Sequence, residues 1–334
     1  MKRLLFCAAI AVVAMAHQAG AEPLKLRFGT SEAGNAPMVQ EVLIPWAKRV
    51  SEASGGEVSI EVVAGGTLGN YQVMYDRVVA NVANIGTVFT PYYQGKFPKT
   101  DVLSIPFEVD SATEGSIAFW RLYKQGVLSD EYKQVELLFP MVFAPAKVLS
   151  RTPITKPSDM KGLKVAVAGK MRSAAAQLLG AAPVSLRINE IYQALSTNVI
   201  DASMNPFYAL KQFHLDEVAS NMFAGSFGTG AMVTVMNKDV WNKLSDKAKN
   251  AFRANSGEVM ARTWGEWLDG KETEIREKLE ATKKFKVVVP TAAEKKEWRA
   301  LLKPIADDWV KSTPGGRQVL DALRGAVGQI SAKN

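Results

Sequence analysis

Cysteine and histidine are almost missing: the 334 residues include one Cys and two His. Cys7 and His17 both precede residue 22, in a segment whose own pattern marks it for removal. What is left has no thiol and a single imidazole, His214. A disulfide is therefore excluded in the exported chain, and a core of this size is stable without one. Zinc and iron sites built from Cys and His are excluded as well. A serine nucleophile would have to use His214, in Lys211-Gln-Phe-His-Leu-Asp216, and no Gly-x-Ser-x-Gly elbow occurs. His214 reads as ordinary helix or loop surface. An exported hydrolase working with carboxylates alone remains as a different class, but no pair of Asp or Glu stands out at a plausible site.

Charge runs are also lacking. No basic tract of five or more residues occurs, which excludes nucleic acid as a partner. Gly65-Gly-Thr-Leu-Gly69 lacks the Gly-Lys-Ser/Thr and Gly-x-Gly-x-x-Gly patterns of phosphate loops, so it reads as a tight connection.

What is present begins with Lys2 and Arg3, the apolar run Leu4–Ala16, and the small residues Ala19-Gly-Ala21 before Glu22. This is the pattern of a secretory signal peptide, cut near Ala21-Glu22. The apolar run is shorter than the ~20 residues that span a bilayer. Cys7 lies too early for lipoprotein cleavage. Without Lys2 and Arg3, the 41 basic residues become 39 against 33 acidic, a mild net charge of about +6. No later apolar run reaches spanning length. A soluble, secreted chain of two domains is expected.

Apolar–polar alternation predicts strands over Leu24–Thr30 and Glu57–Ala64, and an apolar run predicts a third over Ile85–Phe89. Helical spacing predicts helices over Val39–Ala53, ended by Ser54-Gly-Gly56, and over Tyr71–Val82. This strand-helix alternation is that of a parallel α/β sheet. A helix over Ser111–Lys124 and strands over Val135–Val142 and Lys147–Ser150 follow. Ile154–Lys161 is a loop. A second α/β unit runs from Lys164 to Ser203, and Ala231–Met236 reads as a further strand. From Ser245 to about Lys283 the apolar residues recur at helical spacing, with bends or breaks at Ser256-Gly257 and Gly270. One long helix could brace two lobes; two helices meeting at Gly270 are the alternative. Ala292–Leu302 and Gly315–Ile330 complete a helical C-terminus. No sequence repeat is evident.

Several stretches carry a resemblance. They are Gly65-Gly-Thr-Leu-Gly69, Ile105-Pro-Phe107, Gly162-Leu-Lys-Val-Ala-Val167, Leu179-Gly-Ala-Ala-Pro-Val184, Glu190-Ile-Tyr-Gln-Ala-Leu195 and Asp201-Ala-Ser-Met-Asn-Pro206. In order and spacing the chain resembles the solute-binding proteins of TRAP transporters, the dicarboxylate-type family. The resemblance implies an α/β fold of the two-lobed periplasmic binding type, with mixed sheets, an interlobe cleft and a long helix crossing both lobes. Lobe I would comprise 22–145 plus about 231–270, and lobe II 146–230 plus about 271–330. The lobes would close on a small-molecule solute by hinge motion. The closed form would dock on membrane permease subunits, with no cofactor, no metal and no turnover. A periplasmic sensor domain is a further partner that the same fold and cleft would serve.

One position departs from the resemblance. The family's Gly-Leu-Lys-x-Arg strand clamps a carboxylate through its Arg, and Ala166 fills that slot here. A second family Arg falls near Ala146. Arg187, in a loop that lines the family's cleft, Arg172 in the helix after the 164–168 strand, and Lys147 are the candidate replacement cations, because an inward Arg must find an anion. Asn205 matches the family's solute-binding Asn, whose amide both donates and accepts. Tyr71, Phe89, Tyr92, Tyr93, Phe207 and Tyr208 cluster near expected cleft positions and favour an aromatic or apolar-bodied solute. Glu32, after the first strand, is a candidate for a solute amine or hydroxyl. The expected solute is an organic acid, with an aromatic acid as one form; a neutral or cationic solute is the alternative that Ala166 motivates.

Overall fold

The computed structural model describes residues 22–332; the expected signal segment, 1–21, lies outside the described residues. Two sheets form separate halves. The first contains β1 (Leu24–Gly29), β2 (Val58–Val63), β3 (Ile85–Phe89), β4 (Val135–Val142) and β10 (Ala231–Asn237), in the order β2-β1-β3-β10-β4. The second contains β5 (Lys147–Ser150), β6 (Lys164–Val167), β7 (Ala182–Ser185), β8 (Ala202–Asn205), β9 (Asn221–Phe223) and β11 (Lys286–Val288), in the order β11-β9-β5-β8-β6-β7. The short β9 and β11 carry too little alternation to read from sequence.

Both sheets are mixed, as the resemblance implies and the bare strand-helix alternation does not. β1 pairs parallel with β2 and β3, whereas β10 returns from the second lobe and enters between β3 and β4, antiparallel to both. In the second lobe β6 pairs parallel with β7 and β8, and β5 runs antiparallel to β8 and β9.

In the first lobe, α1 (Ile44–Ala53), α2 (Met74–Val79) and α3 (Ala112–Lys124) cover the sheet. A wider π turn over Val39–Leu43 leads into α1. Ser111 caps α3 by accepting from Glu114 N at 3.0 Å, as its residue type at that position favours. Alternation along β1 buries Leu26 and Phe28. Phe28 meets Trp46 of α1 edge-on at 5.4 Å, and Phe139 meets the same indole at 5.0 Å. In the second lobe, α4 (Lys170–Leu178), α5 (Ile188–Ser196) and α6 (Phe207–Gln212) pack on the sheet. Val165 and Val167 enter the core on one face, with Ala175 and Ala176 of α4. Ala166 enters the core on the other, with Ile191, Phe207 and Leu210.

The chain then runs through α7 (Lys238–Lys243), α8 (Asp246–Asn255), α9 (Gly257–Ala281), α10 (Ala292–Ser312) and α11 (Gly316–Ser331). α9 spans 25 residues, roughly 38 Å at 1.5 Å per residue. Its break is at Ser256-Gly257, where Gly257 takes a φ of +62° and lies against the Trp120 ring. No break occurs at Gly270, so two helices meeting there are ruled out. An open-facing glycine costs a helix only about 1 kcal/mol, and packing on both sides outweighs it. α10 begins in the second lobe's core with Trp298 and Leu302 and ends in the first lobe's with Ala306 and Trp309. α11, expected with the second lobe, packs Val319, Leu320 and Leu323 against the first.

Two chain crossings join the lobes and pair with each other. The outgoing segment 143–146 and the returning segment 224–230 exchange backbone bonds: Phe143 N donates to Gly230 O at 3.1 Å, Ala146 N to Gly228 O at 3.0 Å, and Phe227 N to Ala146 O at 2.8 Å. α9 and α10 are further connections.

Two tests follow from this packing. A Cβ at Gly265 would fall 2.2 Å from Thr113 Cα, backbone that cannot yield cheaply, while Gly270 has nothing within 4 Å. In urea unfolding, Gly265→Ala is expected to cost about 1–3 kcal/mol, and Gly270→Ala to add about 0.5–1 kcal/mol; equal effects would contradict the close α3–α9 crossing. The second concerns pH. Burial pushes the Asp101 carboxyl up to about 6 and Glu131 up to about 7, the latter against hydrogen bonds from Lys99 N and Thr100 N. Their folded values exceed the unfolded ones of about 4. The native state therefore holds more protons in between, and these groups contribute a loss of stability as pH rises from about 4 to about 7. Asp101→Asn should flatten that part of the stability–pH curve; an unchanged slope would show that Asp101 does not titrate there.

Candidate functional site

Ligands of open α/β sheets sit beyond the carboxyl ends of the strands. Here the segments at those ends are Thr30–Pro37 after β1, Thr90–Tyr93 after β3, Ala168-Gly169 after β6 and Pro206 after β8. The loop after β1 is pinned by neighbouring glycines. Gly65 N donates to Glu32 O at 2.7 Å and Gly66 N to Thr30 O at 2.9 Å, both glycines at φ near +74°. That geometry favours glycine.

The first lobe contributes a group of rings. Tyr71 and Tyr92 stack at 5.9 Å with 13° between their planes, and Phe89 meets them edge-on at 6.1 and 5.4 Å. Phe89 continues to Phe143 at 5.6 Å, and Phe143 to Trp264 of α9 at the same distance. Trp267 then reaches Tyr208 of the second lobe at 6.2 Å. The Tyr71 hydroxyl donates to Glu32 Oε1. Burial foremost, then the Glu32 charge, pushes the Tyr71 phenol far above its usual range. Tyr208 is raised as well, first by burial and then by Glu32, so a residue of the second lobe feels the first lobe's carboxylate. Tyr93 faces elsewhere: its hydroxyl accepts from Tyr75 N at 2.8 Å within the first core.

The second lobe contributes polar atoms without partners. Asn205 is 8% exposed, and its Nδ2 is buried with no acceptor. Ser203, two residues earlier on the same face of β8, has a buried Oγ with no partner. An unsatisfied buried polar group costs about 1–3 kcal/mol. Register places Ser203 beside Ala166 on β6 and Asn205 beside Lys147 on β5. Ala166 itself is 1% exposed, a methyl within the core.

The candidate cations differ sharply. Arg187 stands at the surface, its side chain 83% exposed, paired with Glu190 at 3.0 Å at the start of α5. It is not drawn inward, because its N–H and guanidinium both serve that helix cap. Lys147 is half-buried and neutralised: its Nζ lies 2.9 Å from Glu272 Oε2. Phe207 is 2% exposed in the second lobe's core, with the Lys147 ammonium 5.3 Å above its ring, and so offers no open face. Arg172 is the exception. Its Nε and Nη2 donate to Phe227 O at 3.4 Å and Gly228 O at 3.1 Å, on the returning crossing, and it has no carboxylate partner among the described residues. Desolvation pushes its guanidinium down to about 10, so it stays charged at neutral pH.

Glu272 escapes the sequence reading. Its carboxylate accepts from Lys147 Nζ, from Phe207 N at 3.1 Å and from Tyr208 N at 2.5 Å. It thereby holds the segment that follows Asn205-Pro206. The available signal is its place in the apolar stripe Leu268, Ile275, Leu279 of α9, where an acidic residue must be paired. His214, exposed and 3.3 Å from Glu217, takes no part. No group of three acidic or imidazole side chains suited to a metal occurs among the described residues. Removing Lys147 strands the Glu272 charge, so Lys147→Ala should cost about 3–5 kcal/mol in chemical unfolding, and Lys147→Ala with Glu272→Gln much less; additive losses would show that the two do not interact.

The model of bacterial extracellular solute-binding proteins, family 7 (DctP), matches residues 28–313. The outer membrane transporter protein TsaT of Comamonas testosteroni is 27% identical over 332 residues, 97% of either chain. A TRAP periplasmic solute-binding protein of Bordetella bronchiseptica, solved with (R)- and (S)-mandelate, is 26% identical, with a TM-score of 0.78 over 92% of this chain and 100% of its own. A TRAP solute-binding protein of Rhodoferax ferrireducens T118, solved with copurified benzoate, is 25% identical, with a TM-score of 0.80 over 92% of this chain and 99% of its own. With two such lobes, a long connecting helix and a match over residues 28–313, the chain belongs to family 7 of the bacterial extracellular solute-binding proteins, those of TRAP transporters.

Proposed function

We propose that the chain captures a small organic acid with an aromatic body in the interlobe cleft. It then delivers the acid to the membrane permease subunits of a TRAP transporter. It acts in the periplasm as a binding protein and not as an enzyme. The observation that carries this reading is Arg172, a desolvated cation beside the hinge that holds two carbonyls and no carboxylate among the described residues. A solute carboxylate there would make charge-assisted hydrogen bonds, stronger than neutral ones. Arg172 lies six positions after Ala166, on the helix that leaves the same strand. It would supply from α4 the charge that β6 lacks. The unpartnered Nδ2 of Asn205 and the rings of Tyr71 and Phe89 support the same solute class. So do the benzoate and mandelate carried by two solved relatives.

The test is thermal unfolding and calorimetry on protein unfolded and refolded to strip bound solute. The panel holds benzoate, mandelate, aliphatic acids, polyols and amines. An aromatic acid at ~1,000 times its Kd should add about 4 kcal/mol of stability. Arg172→Gln should weaken that acid by about tenfold or more, from loss of a hydrogen bond to a charged group. Asn205→Ala should weaken it about tenfold. Response to neutral or cationic solutes alone would replace this reading with the one that Ala166 motivates.

A further inference from the structure

Glu32 is left over by a site built only for a carboxylate. It stands after β1 with its backbone fixed by Gly65, and the side chain is partly exposed. One oxygen, Oε1, accepts from Tyr71. The other has no protein donor, and no Lys, Arg or His pairs with Glu32, among the described residues. Burial first, and then the Glu32 and Glu41 charges, push the Tyr208 phenol of the second lobe above its usual range. The same ring group leads from Tyr71 through Phe89 to Phe143, whose carbonyl holds Thr229 Oγ1 at 2.7 Å. Thr229 adjoins Gly228, the carbonyl that Arg172 grips. These contacts link the Glu32 carboxylate, which has no cation partner, to the segment gripped by Arg172, which has no carboxylate partner, among the described residues. Closing the lobes removes water from both, and a charge desolvated without a partner is costly.

We propose that Glu32, held by Tyr71, is the specificity-determining residue that selects solutes carrying a hydrogen-bond donor, a phenolic hydroxyl or an ammonium, at the end opposite the carboxylate. The inference rests on the aromatic-acid reading and narrows it. A donor satisfies the free oxygen of Glu32 on closure. A plain aromatic acid leaves that oxygen dry. A second carboxylate on the solute meets a like charge, so dicarboxylates are rejected despite the resemblance of the fold to dicarboxylate-type binders. Tyr71 holds one oxygen of the carboxylate, which leaves the other for the incoming donor.

The test uses the exported chain, stripped of solute, and calorimetric Kd values for five probes. These are benzoate, its 3-hydroxy and 4-hydroxy derivatives, 3-(aminomethyl)benzoate and isophthalate. In the wild type the better hydroxy acid or the amine should bind about tenfold tighter than benzoate or more, the scale of a hydrogen bond to a charged group. Isophthalate should bind about tenfold weaker than benzoate or worse. The near-isosteric Glu32→Gln variant, relieved of the stranded charge, should bind benzoate tighter than the wild type, reduce the donor advantage to below about threefold, and gain about tenfold for isophthalate. Tyr71→Phe, which keeps the Glu32 charge, should still reject isophthalate. The separate hydroxyl and ammonium arms tell which donor is read. If benzoate binds but Glu32→Gln leaves the ratios as in the wild type, Glu32 does not select the solute. If no aromatic acid binds the wild type while its melting temperature shows it folded, the aromatic-acid reading itself fails and this inference with it.

Discussion

A single carboxylate does most to hold the two halves of this protein in register. Glu272 lies within the apolar stripe of α9, where an unpaired charge would be prohibitive, and its oxygens are met by Lys147 Nζ and by the amides of Phe207 and Tyr208. Those three donors belong to β5 and to the start of α6. The long helix is therefore tied to the strand on which the chain enters the second lobe. It is tied equally to the turn that follows Asn205. The arrangement explains why Lys147 is not available to a solute: its charge is already spent inside the fold. It also fixes the residues that follow Asn205, whose amide Nδ2 is buried without a partner.

Around that tie the lobes are joined by segments that are thin but ordered. The crossings at 143–146 and 224–230 pair with each other and with residues 103–109, where Phe107 N donates to Ser226 O at 2.9 Å, the Ser226 hydroxyl to Val109 O at 2.6 Å and Thr229 N to Leu103 O at 2.9 Å. Two paired extended segments outside any sheet are the kind of connection at which lobes hinge. Arg172 grips the carbonyls of this same segment. A solute that competes for the guanidinium would act on the hinge itself, linking occupancy of the cleft to the angle between the lobes.

Much of the fold was legible in the residues. β3, β4 and β5 fall on the predicted spans. Ser111 and Ser245 read as helix starts for the reason that makes them caps: each hydroxyl accepts the free N–H three residues on. Less was legible where short segments borrow their conformation. β9 and β11 have three residues each and are strands only because neighbours pair with them. α11 carries an apolar stripe that any core would accept, and nothing local says that it turns back onto the first lobe.

The candidate site divides in the same way. The export pattern, the lack of thiols, the α/β class and the family resemblance follow from residue types and spacing alone, because they depend on local order along the chain. The absence of a clamp Arg at Ala166 is likewise a property of one position. Which cation stays unpaired is not. Lys147, Arg172 and Arg187 are equivalent in sequence; tertiary structure gives the first Glu272, the third Glu190, and the second only backbone carbonyls. Phe207 and Phe89 are equally aromatic, yet one is sealed in the core and the other joins the ring group beside the cleft. Charge compensation and burial are set by contacts between residues far apart in the chain, and only the packed lobes decide them.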